Sequence, residues 1–520
     1  MNPHHYWRVA EAASDRRDWQ ASKRAYGQAL ELDPAHVPSL IGLSSVLGRS
    51  GDYRNSHAAA MKAWECRPED PALIFGLAQR LRAFSEFAAL EDCLTAPRFA
   101  REAPIQAIAK AVVMLSSIGA HQAAVRLADV ALSRRPDDAP ALFVRGNLHF
   151  FAGETDAANA CYERALKADP RMFQNAWMQS GLRSQTTDDN HVARLRQQLQ
   201  RASPGGMGEA YLQYALHKEL HDLGAYDEAW NALMAGNRIK RRQAEYAQAN
   251  TDAYLDGVTG LCTPEFLTAR SSIRLPAIPI FIVGMHRSGT TLLERMLAGH
   301  AMIGDAGETS SFDVQLGLAA DRAPLPHLDT GLPERLRTAN FDAIADGYAR
   351  HAPWLSRGKP LFTEKLPNNF WNVGFISKAL PEARIIHLVR DPMDTCFSNL
   401  RTFFSGVATY SYVQEELAMF YAAYRKMMAH WRSVLPGVVL DVDYQELVDN
   451  PEGMARRIAA HCGIEYEAKM IDVSRTDGRV ATASASLARQ GIRRDRGRVW
   501  EHYRRHLEPM RSILQPLYDP

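Results

Sequence analysis

The stretch IPIFIVGMHRSGTTLLERMLAGH, residues 278–300, decides the fold of the second half of this chain. It begins with the apolar run IPIFIV, passes through a loop that contains Gly284 and Gly289, and ends in an amphipathic segment. This order predicts a buried strand, a tight loop and a helix, and such a unit lets backbone amides and a helix N-terminus converge on an anion. We therefore expect a P-loop-type, three-layer α/β domain with a parallel sheet over residues 275–515.

The loop differs from that of nucleotide triphosphatases at one position. The Walker pattern GxxxxGK[ST] needs a lysine directly after its second glycine, and here Thr290 stands there. Arg287 lies inside the loop instead, where its guanidinium can grip a terminal oxyanion group. A P-loop kinase or NTPase stays an alternative, and it would need a magnesium site as well.

A second motif, ARIIHLVRDPMDTCFSNLRTF, spans residues 383–403. Its apolar part predicts a buried strand, with Arg390 at the carboxyl end and Ser398 eight residues later. Open α/β sheets bind ligands at the carboxyl ends of their strands, so both residues are candidate ligand contacts. Taken alone, Arg390 is also explained by a surface ion pair with Asp391 or Asp394.

Together the two motifs resemble the sulfotransferases, whose 5′-phosphosulfate loop reads RSGTT in the tyrosylprotein branch. The matching loop residues are Arg287, Ser288, Gly289, Thr290 and Thr291. The resemblance implies 3′-phosphoadenosine 5′-phosphosulfate as the donor, with its 3′-phosphate held by Arg390 and Ser398. A further arginine of that branch falls at Thr402, with Arg401 beside it.

The same resemblance implies a catalytic pair. Glu308 follows Arg287 by 21 residues, which is the spacing of the family's glutamate base, and Asp305 is the second choice. Lys365, in LFTEKLPNNF, resembles the lysine that stabilises charge on the bridging oxygen. An ion pair with the adjacent Glu364 is the alternative for Lys365, although neighbours on a strand point to opposite faces.

The remaining candidates lie nearer the C-terminus. Tyr444 resembles the family tyrosine beside the nucleotide, with core packing as its alternative. The stretch TASASLARQGIRRDRGRVW, residues 482–500, resembles the family's closing loop and places Ser484 on the serine that contacts the sulfuryl group. One or two of its arginines, Arg498 among them, are expected to hold donor phosphates. The histidines show no metal-ligand spacing, so we expect no metal.

The first third of the chain repeats with a period of 34 residues. The prolines and alanines that mark the period are Pro34, Pro68, Pro136, Pro170, Ala29, Ala63, Ala131 and Ala165. This pattern resembles the tetratricopeptide repeat, with about five copies over residues 4–170. We expect an α-solenoid over residues 1–250, irregular after 170, and a linker over 251–274.

Composition narrows the class of protein. Sixty-one Lys and Arg against 59 Asp and Glu leave a net charge of +2, which gives no reason to expect nucleic acid as a partner. The six cysteines form no CxxC pair and are read as free thiols. We found no signal-peptide pattern and no apolar stretch of about 20 residues, so a cytoplasmic protein is expected.

These observations predict a sulfotransferase whose favoured acceptor is a protein tyrosine, with the repeats docking a protein or peptide acceptor. Sulfation of a carbohydrate or small-molecule hydroxyl is an alternative. A non-catalytic repeat scaffold is another, and there the repeats would only pack against the rest of the chain.

Overall fold

The structure is a computed structural model, and it describes residues 2–324, 328–473, 491–492 and 498–518. From residue 2 to residue 268 the chain is built of helices. These are α1 Pro3–Asp15, α2 Trp19–Leu32, α3 Val37–Ser50, α4 Tyr53–Glu65, α5 Pro71–Ala83, α6 Phe87–Leu94, α7 Pro97–Glu102, α8 Ile105–Ser117, α9 His121–Arg134, α10 Ala139–Ala152, α11 Thr155–Ala168, α12 Gln174–Ser180, α13 Val192–Leu199, α14 Met207–Asp222, α15 Tyr226–Gln243, α16 Gln248–Leu261 and α17 Pro264–Thr268.

Consecutive helices pack as hairpins, and the turns between them keep the 34-residue phase. Gly51, Gly119 and Gly153 adopt left-handed backbone with φ of 81°, 77° and 83°. Arg17 and Ser85 occupy the same phase in other copies and adopt the same conformation, with φ of 60° and 56°. The turn geometry is thus common to the repeats, and two copies form it with residues that adopt it at a cost.

The stretch expected to be a linker, residues 251–274, contains most of α16 and all of α17. The Ser271 hydroxyl donates to Asp342 in the second half of the chain at 2.6 Å. The division into residues 1–250, 251–274 and 275–515 stays a prediction.

A five-stranded sheet follows, and each of its four strand pairs is parallel. Its strands are β1 Ile278–Gly284, β2 Ile303–Asp305, β3 Leu361–Glu364, β4 Arg384–Val389 and β5 Val439–Asp443. The strand order is β2-β3-β1-β4-β5, so the strand of the glycine loop is central. The order reverses beside β1, and this is where α/β sheets open a crevice for ligands.

Helices cover both faces of the sheet. They are α18 Thr290–Leu297, α19 Ser311–Ala320, α20 Leu332–Leu336, α21 Phe341–Ser356, α22 Val373–Ala379, α23 Pro392–Leu400, α24 Gln414–Val434, α25 Tyr444–Asp449, α26 Pro451–Cys462 and α27 Glu508–Leu514. Short 3₁₀ helices lie at Pro367–Trp371, Thr409–Tyr412, Ala468–Ile471, Val499–His506 and Gln515–Leu517. Ile280 and Ile282 pack with α18 and α26, whereas Phe281 packs with Tyr348 of α21. The expected fold class, a helical solenoid followed by a three-layer α/β domain, is confirmed.

The solenoid and the α/β domain share one core. The Phe403 ring, just after α23, lies 5.2, 4.6 and 5.2 Å from the rings of Trp177, Tyr211 and Tyr214. The Lys240 ammonium of α15 lies 4.6 Å from the centroid of the same ring. Aromatic contacts of this kind make the relative placement of the two parts specific.

Across the described ranges, none of the helices combines the length and the apolar character needed to cross a bilayer.

The repeat turns supply a matched stability test. A Cβ at Gly51 meets nothing within 4 Å, so in the folded state Gly51→Ala acts through its positive φ. We expect it to lower the free energy of unfolding by about 1 kcal/mol. Arg17→Gly, at the same repeat position, should raise it by roughly 0.5 kcal/mol, since glycine also adds entropy to the unfolded chain. Thermal unfolding of the full chain measures both, and shifts of the same sign would contradict this account.

Candidate functional site

The site is built at one edge of the sheet, because a chemically distinct residue follows each of the five strands. The glycine loop follows β1, Glu308 follows β2, Lys365 follows β3, Arg390 follows β4 and Tyr444 follows β5. In a parallel sheet all carboxyl ends lie on the same side, so residues from five separate parts of the chain meet there.

The loop after β1 is held tightly against its neighbours. A Cβ on Gly284 would lie 2.7 Å from the carbonyl oxygen of Leu388, and one on Gly289 would lie 2.6 Å from the Tyr444 ring. Ser288 is buried, and its hydroxyl has no hydrogen-bond partner among the described residues. A buried hydroxyl at the start of a helix, next to two glycines that let the backbone curl, fits an anionic ligand.

Arg287 is the strained residue of the loop, with a left-handed φ of 67°. This conformation costs a non-glycine residue about 1–2 kcal/mol, and it turns the guanidinium toward α23. Its Nε donates to the Ser398 hydroxyl at 3.2 Å. The side chain of Asn399 donates to the carbonyl of His286 at 2.6 Å and so ties the loop to α23.

Three guanidinium groups concentrate positive charge beside this loop. Burial, followed by the charges of Arg401 and Arg390, lowers the pKa of Arg287 to about 10, and Glu308 opposes that shift. Burial also lowers the pKa of Arg401. Like charges that are desolvated together favour an anion among them, so the chemistry of this donor set suits phosphate or sulfate. Thr402, where the family's further arginine falls, donates its hydroxyl to the carbonyl of Ser398 instead.

Arg390 and Tyr444 line a cavity of about 730 Å³. The Arg390 guanidinium lies 4.5 Å from the centroid of the Tyr444 ring and 3.7 Å from Asp394. The ion pair named as the alternative for Arg390 therefore exists, and both of its residues line the same cavity. Arg498 lines the cavity too, and its backbone N–H donates to Asp394 at 2.7 Å.

Lys365 and Glu308 form the other half of the site. The Lys365 side chain is 1% exposed, and its ammonium contacts the carboxylate of Glu308, whose side chain is 45% exposed. Glu294, on α18, lies 3.8 Å from the same ammonium. Burial acts to lower the pKa of Lys365, but Glu308, Glu294 and Asp305 outweigh it, so the pKa is raised and the ammonium stays charged.

Two further carboxyl groups, those of Glu294 and Asp305, lie deeper in the site than Glu308. Burial raises the pKa of Glu294 and of Asp305, and the two side chains share a hydrogen bond. Asp305 also accepts from the backbone N–H of Gly307 at 3.1 Å. Glu308 is thus the exposed member of the set, and Asp305, the second choice for a base, lies behind it. Glu364, the proposed alternative partner of Lys365, accepts instead from the Tyr348 hydroxyl.

Some residues around the site were not singled out from the sequence. Glu294, Asn399 and Arg401 lie inside the two quoted motifs, and Arg401 was named only as the neighbour of Thr402. Their closeness in sequence to Ser398 and the loop was therefore an available signal. The pair His286 and Tyr410 had none. Burial lowers the pKa of His286 to about 4, and its neutral ring pairs through Nδ1 with the Tyr410 hydroxyl at 3.0 Å.

One predicted contact lies in a part of the chain that the structure does not describe. Ser484 lies outside the described residues, as do four of the loop arginines, Arg489, Arg493, Arg494 and Arg496. Thr290 and Thr291 open α18 as expected, and both are buried.

Comparison with known proteins assigns the two parts of the chain. Residues 279–468 match the model of the sulfotransferase family, and residues 139–172 match a tetratricopeptide repeat model. An uncharacterized protein of Aquifex aeolicus (strain VF5) is 29% identical over 314 residues, which are 58% of this chain and 41% of that protein. A putative protein-tyrosine sulfotransferase of Caenorhabditis briggsae is 26% identical over 199 residues, covering 37% of this chain and 68% of that protein.

Solved structures resemble each part separately. The sulfotransferase domain from the curacin biosynthetic pathway is 16% identical and covers 47% of this chain and 99% of its own, with a TM-score of 0.30. YrrB, a tetratricopeptide repeat protein with an unusual peptide-binding site, is 19% identical and covers 32% of this chain and 85% of its own, with a TM-score of 0.27. This chain spans less than half the length of the Aquifex protein. By the two family-model matches alone, residues 279–468 form a sulfotransferase-family domain, and residues 139–172 of the preceding helical hairpins form a tetratricopeptide repeat.

Proposed function

We propose that the protein transfers a sulfuryl group from 3′-phosphoadenosine 5′-phosphosulfate to an acceptor hydroxyl, with a protein tyrosine as the favoured acceptor. The observation that carries the proposal is a juxtaposition at one edge of the sheet. An arginine-rich anion site formed by Arg287 and Arg390 adjoins the Lys365–Glu308 pair, which combines a buried cation with an exposed carboxylate.

The donor would be held by both anion-binding parts of the site. Residues 287–291 would bind the 5′-phosphosulfate, Arg390 and Ser398 the 3′-phosphate, and Tyr444 and Arg498 the remainder of the nucleotide. The cavity beside Arg390 has the size of a nucleotide site. The Ser288 hydroxyl, which has no hydrogen-bond partner within the described part of the chain, supports an anionic ligand at the loop. This donor supplies an activated sulfuryl group on a phosphate leaving group.

The reaction needs a base on one side of the sulfur atom and a cation on the other. Glu308 takes the proton of the acceptor hydroxyl, the acceptor oxygen forms a new S–O bond, and the S–O bond to the phosphate breaks. The electron pair leaves with adenosine 3′,5′-bisphosphate, and Lys365 stabilises the charge on its departing oxygen. Ser484 is assigned to the sulfuryl group by resemblance alone.

A phenol suits this base better than an alkyl alcohol does. A tyrosine hydroxyl has a pKa of about 10, so a carboxylate can assist its deprotonation far more readily than that of a sugar hydroxyl. The similarity to a putative protein-tyrosine sulfotransferase supports the same acceptor. The repeats would dock the protein or peptide that carries the tyrosine. Carbohydrate or small-molecule sulfation is the second candidate, and it shares every donor-side residue.

The donor-side assignment predicts separable effects on binding. Arg287→Ala and Arg390→Ala should each weaken binding of adenosine 3′,5′-bisphosphate by about 1.5–3 kcal/mol, because each removes charge-assisted hydrogen bonds. Arg456→Ala, an exposed arginine of α26 paired with Glu452, is the control and should bind normally. Isothermal titration calorimetry measures the affinities. Normal affinity in both loop and strand variants would refute the donor site.

The catalytic assignment predicts a loss of turnover without a loss of donor affinity. Glu308→Gln keeps an oxygen for Lys365 but removes the base, so kcat should fall by at least about 10²-fold. Affinity for the bisphosphate should stay within about twofold of the wild type. Transfer of labelled sulfate to a tyrosine peptide measures turnover, and near-normal kcat in this variant would assign the base to another residue.

The proposed reaction needs no metal ion. Arg287, Arg390 and Lys365 supply the positive charge that magnesium supplies in kinases. Sulfate transfer should therefore continue at an unchanged rate in excess EDTA. A strict Mg²⁺ requirement, restored by titration of the metal, together with turnover of a nucleoside triphosphate, would favour the kinase alternative.

A further inference from the structure

The carboxylate assigned as the base opens into a cavity that the repeats help to build. This cavity has a volume of about 410 Å³. Its lining residues in the α/β domain are Glu308, Thr309 and Ser310, at the end of β2. Those from the solenoid lie on α5, on α6 and at the end of α8, and they include Gln79, Arg82, Phe87, Met114, Ser117 and Ile118.

The solenoid residues that line the cavity form what we call the solenoid wall. Contacts that flank the cavity hold this wall in place. The carboxylate of Glu86, directly before α6, lies 2.7 Å from His57 Nε2 and 3.5 Å from Nε2 of His351 on α21. The Trp354 ring, also on α21, packs against Phe87 with centroids 5.0 Å apart. The start of α6 is therefore fixed against α21 of the α/β domain beside the cavity.

A second set of contacts holds the other side of the wall. Trp354 Nε1 donates to the carboxylate of Glu91 on α6 at 3.3 Å. The Arg357 guanidinium donates to the carbonyl of Gly119, two residues after α8, at 3.2 Å. Both ends of the wall are thus tied to α21 and the residue that follows it, and the spacing between Glu308 and the solenoid is set by the fold.

The walls of the cavity match an aromatic acceptor on a chain. Phe87 and Met114 are apolar and 7% exposed each, and an aromatic ring packs well against both a phenyl group and a thioether. Arg82 is exposed at the cavity and presents hydrogen-bond donors to oxygen atoms of a ligand. Ser117 is exposed there too, but its hydroxyl donates to the Met114 carbonyl at 2.8 Å, so it offers a ligand only acceptor capacity. A general base must lie within hydrogen-bond reach of the proton that it takes, and Glu308 is one of the residues that line this cavity.

We infer that this cavity is the acceptor site and that solenoid residues Arg82, Phe87, Met114 and Ser117 help to determine its specificity. The inference rests on the proposed sulfotransfer. The occupant is a polypeptide acceptor whose tyrosine ring packs between the apolar wall and the end of β2, with its hydroxyl at Glu308. Arg82 binds carbonyl or carboxylate oxygens of the same chain. The repeats would then form one wall of the acceptor site itself, in addition to any docking at a distance.

Two variants with matched controls test this site. Ser117→Trp fills the cavity, and Ser133→Trp is its control, because both serines are exposed, lie on repeat helices and donate to the carbonyl three residues earlier at 2.8 Å. Arg82→Ala removes the cation of the wall, and Arg126→Ala, an exposed arginine of α9, is its control. None of the four residues belongs to the donor site.

The readouts are kcat/KM for a tyrosine peptide, kcat/KM for a free phenol, and affinity for adenosine 3′,5′-bisphosphate. Ser117→Trp should lower kcat/KM for both acceptors by at least about tenfold. Arg82→Ala should raise the KM of the peptide about fivefold or more and leave the KM of the phenol unchanged. Bisphosphate affinity should stay normal in all four variants, which shows that they are folded.

The outcomes separate this inference from the proposed function. If the wild-type protein sulfates the peptide and Ser117→Trp and Arg82→Ala sulfate it with unchanged kinetics, the cavity is not the acceptor site, although sulfotransfer stands. If the wild-type protein binds the bisphosphate but sulfates neither acceptor, the proposed function fails for these acceptors and the acceptor site fails with it. Equal losses in the variants and their controls would also overturn the inference, since the effect would not come from the cavity.

Discussion

A lysine ammonium buried at the end of β3 is the constraint on which the site depends. Removing such a charge from water costs several kcal/mol unless carboxylates compensate for it. Glu308, after β2, and Glu294, on the helix that follows the glycine loop, both face Lys365. The same ammonium therefore links β2, β3 and α18. Glu308, whose side chain is 45% exposed, also lines a cavity, so the compensating charge is a group available for chemistry.

At the anion site the clustered charges are positive, and they come from three arginines. Burial lowers the pKa of Arg287 and of Arg401, and the charges of Arg401 and Arg390 lower the pKa of Arg287 further. Arg287 holds a left-handed backbone as well, and the contacts of α23 keep it there. Cations that are crowded and fixed before a ligand arrives lose little by binding one, which is the arrangement expected of a preorganised anion site.

The solenoid and the α/β domain pack around one shared core. Phe403, two residues after Arg401, lies among three aromatic rings of the repeat region, and Glu86 binds a histidine of α21. Substitutions in α14 or α6 can therefore act on the site without touching a ligand. Repeats of this kind carry no chemistry of their own. The shared packing brings them next to Glu308.

The amino-acid sequence alone determined the architecture and the list of candidate residues. A 34-residue period predicts helical hairpins, and an apolar run before RSGTT predicts a strand, loop and helix, because both signals are local. Arg390 was placed at the end of a strand for the same reason. The ion pair of Lys365 with Glu308, the closeness of Arg401 to Arg287 and the solenoid wall beside Glu308 join residues 57 to about 220 positions apart. Such contacts arise only when parallel strands align their carboxyl ends and two cores merge, so tertiary packing decided them.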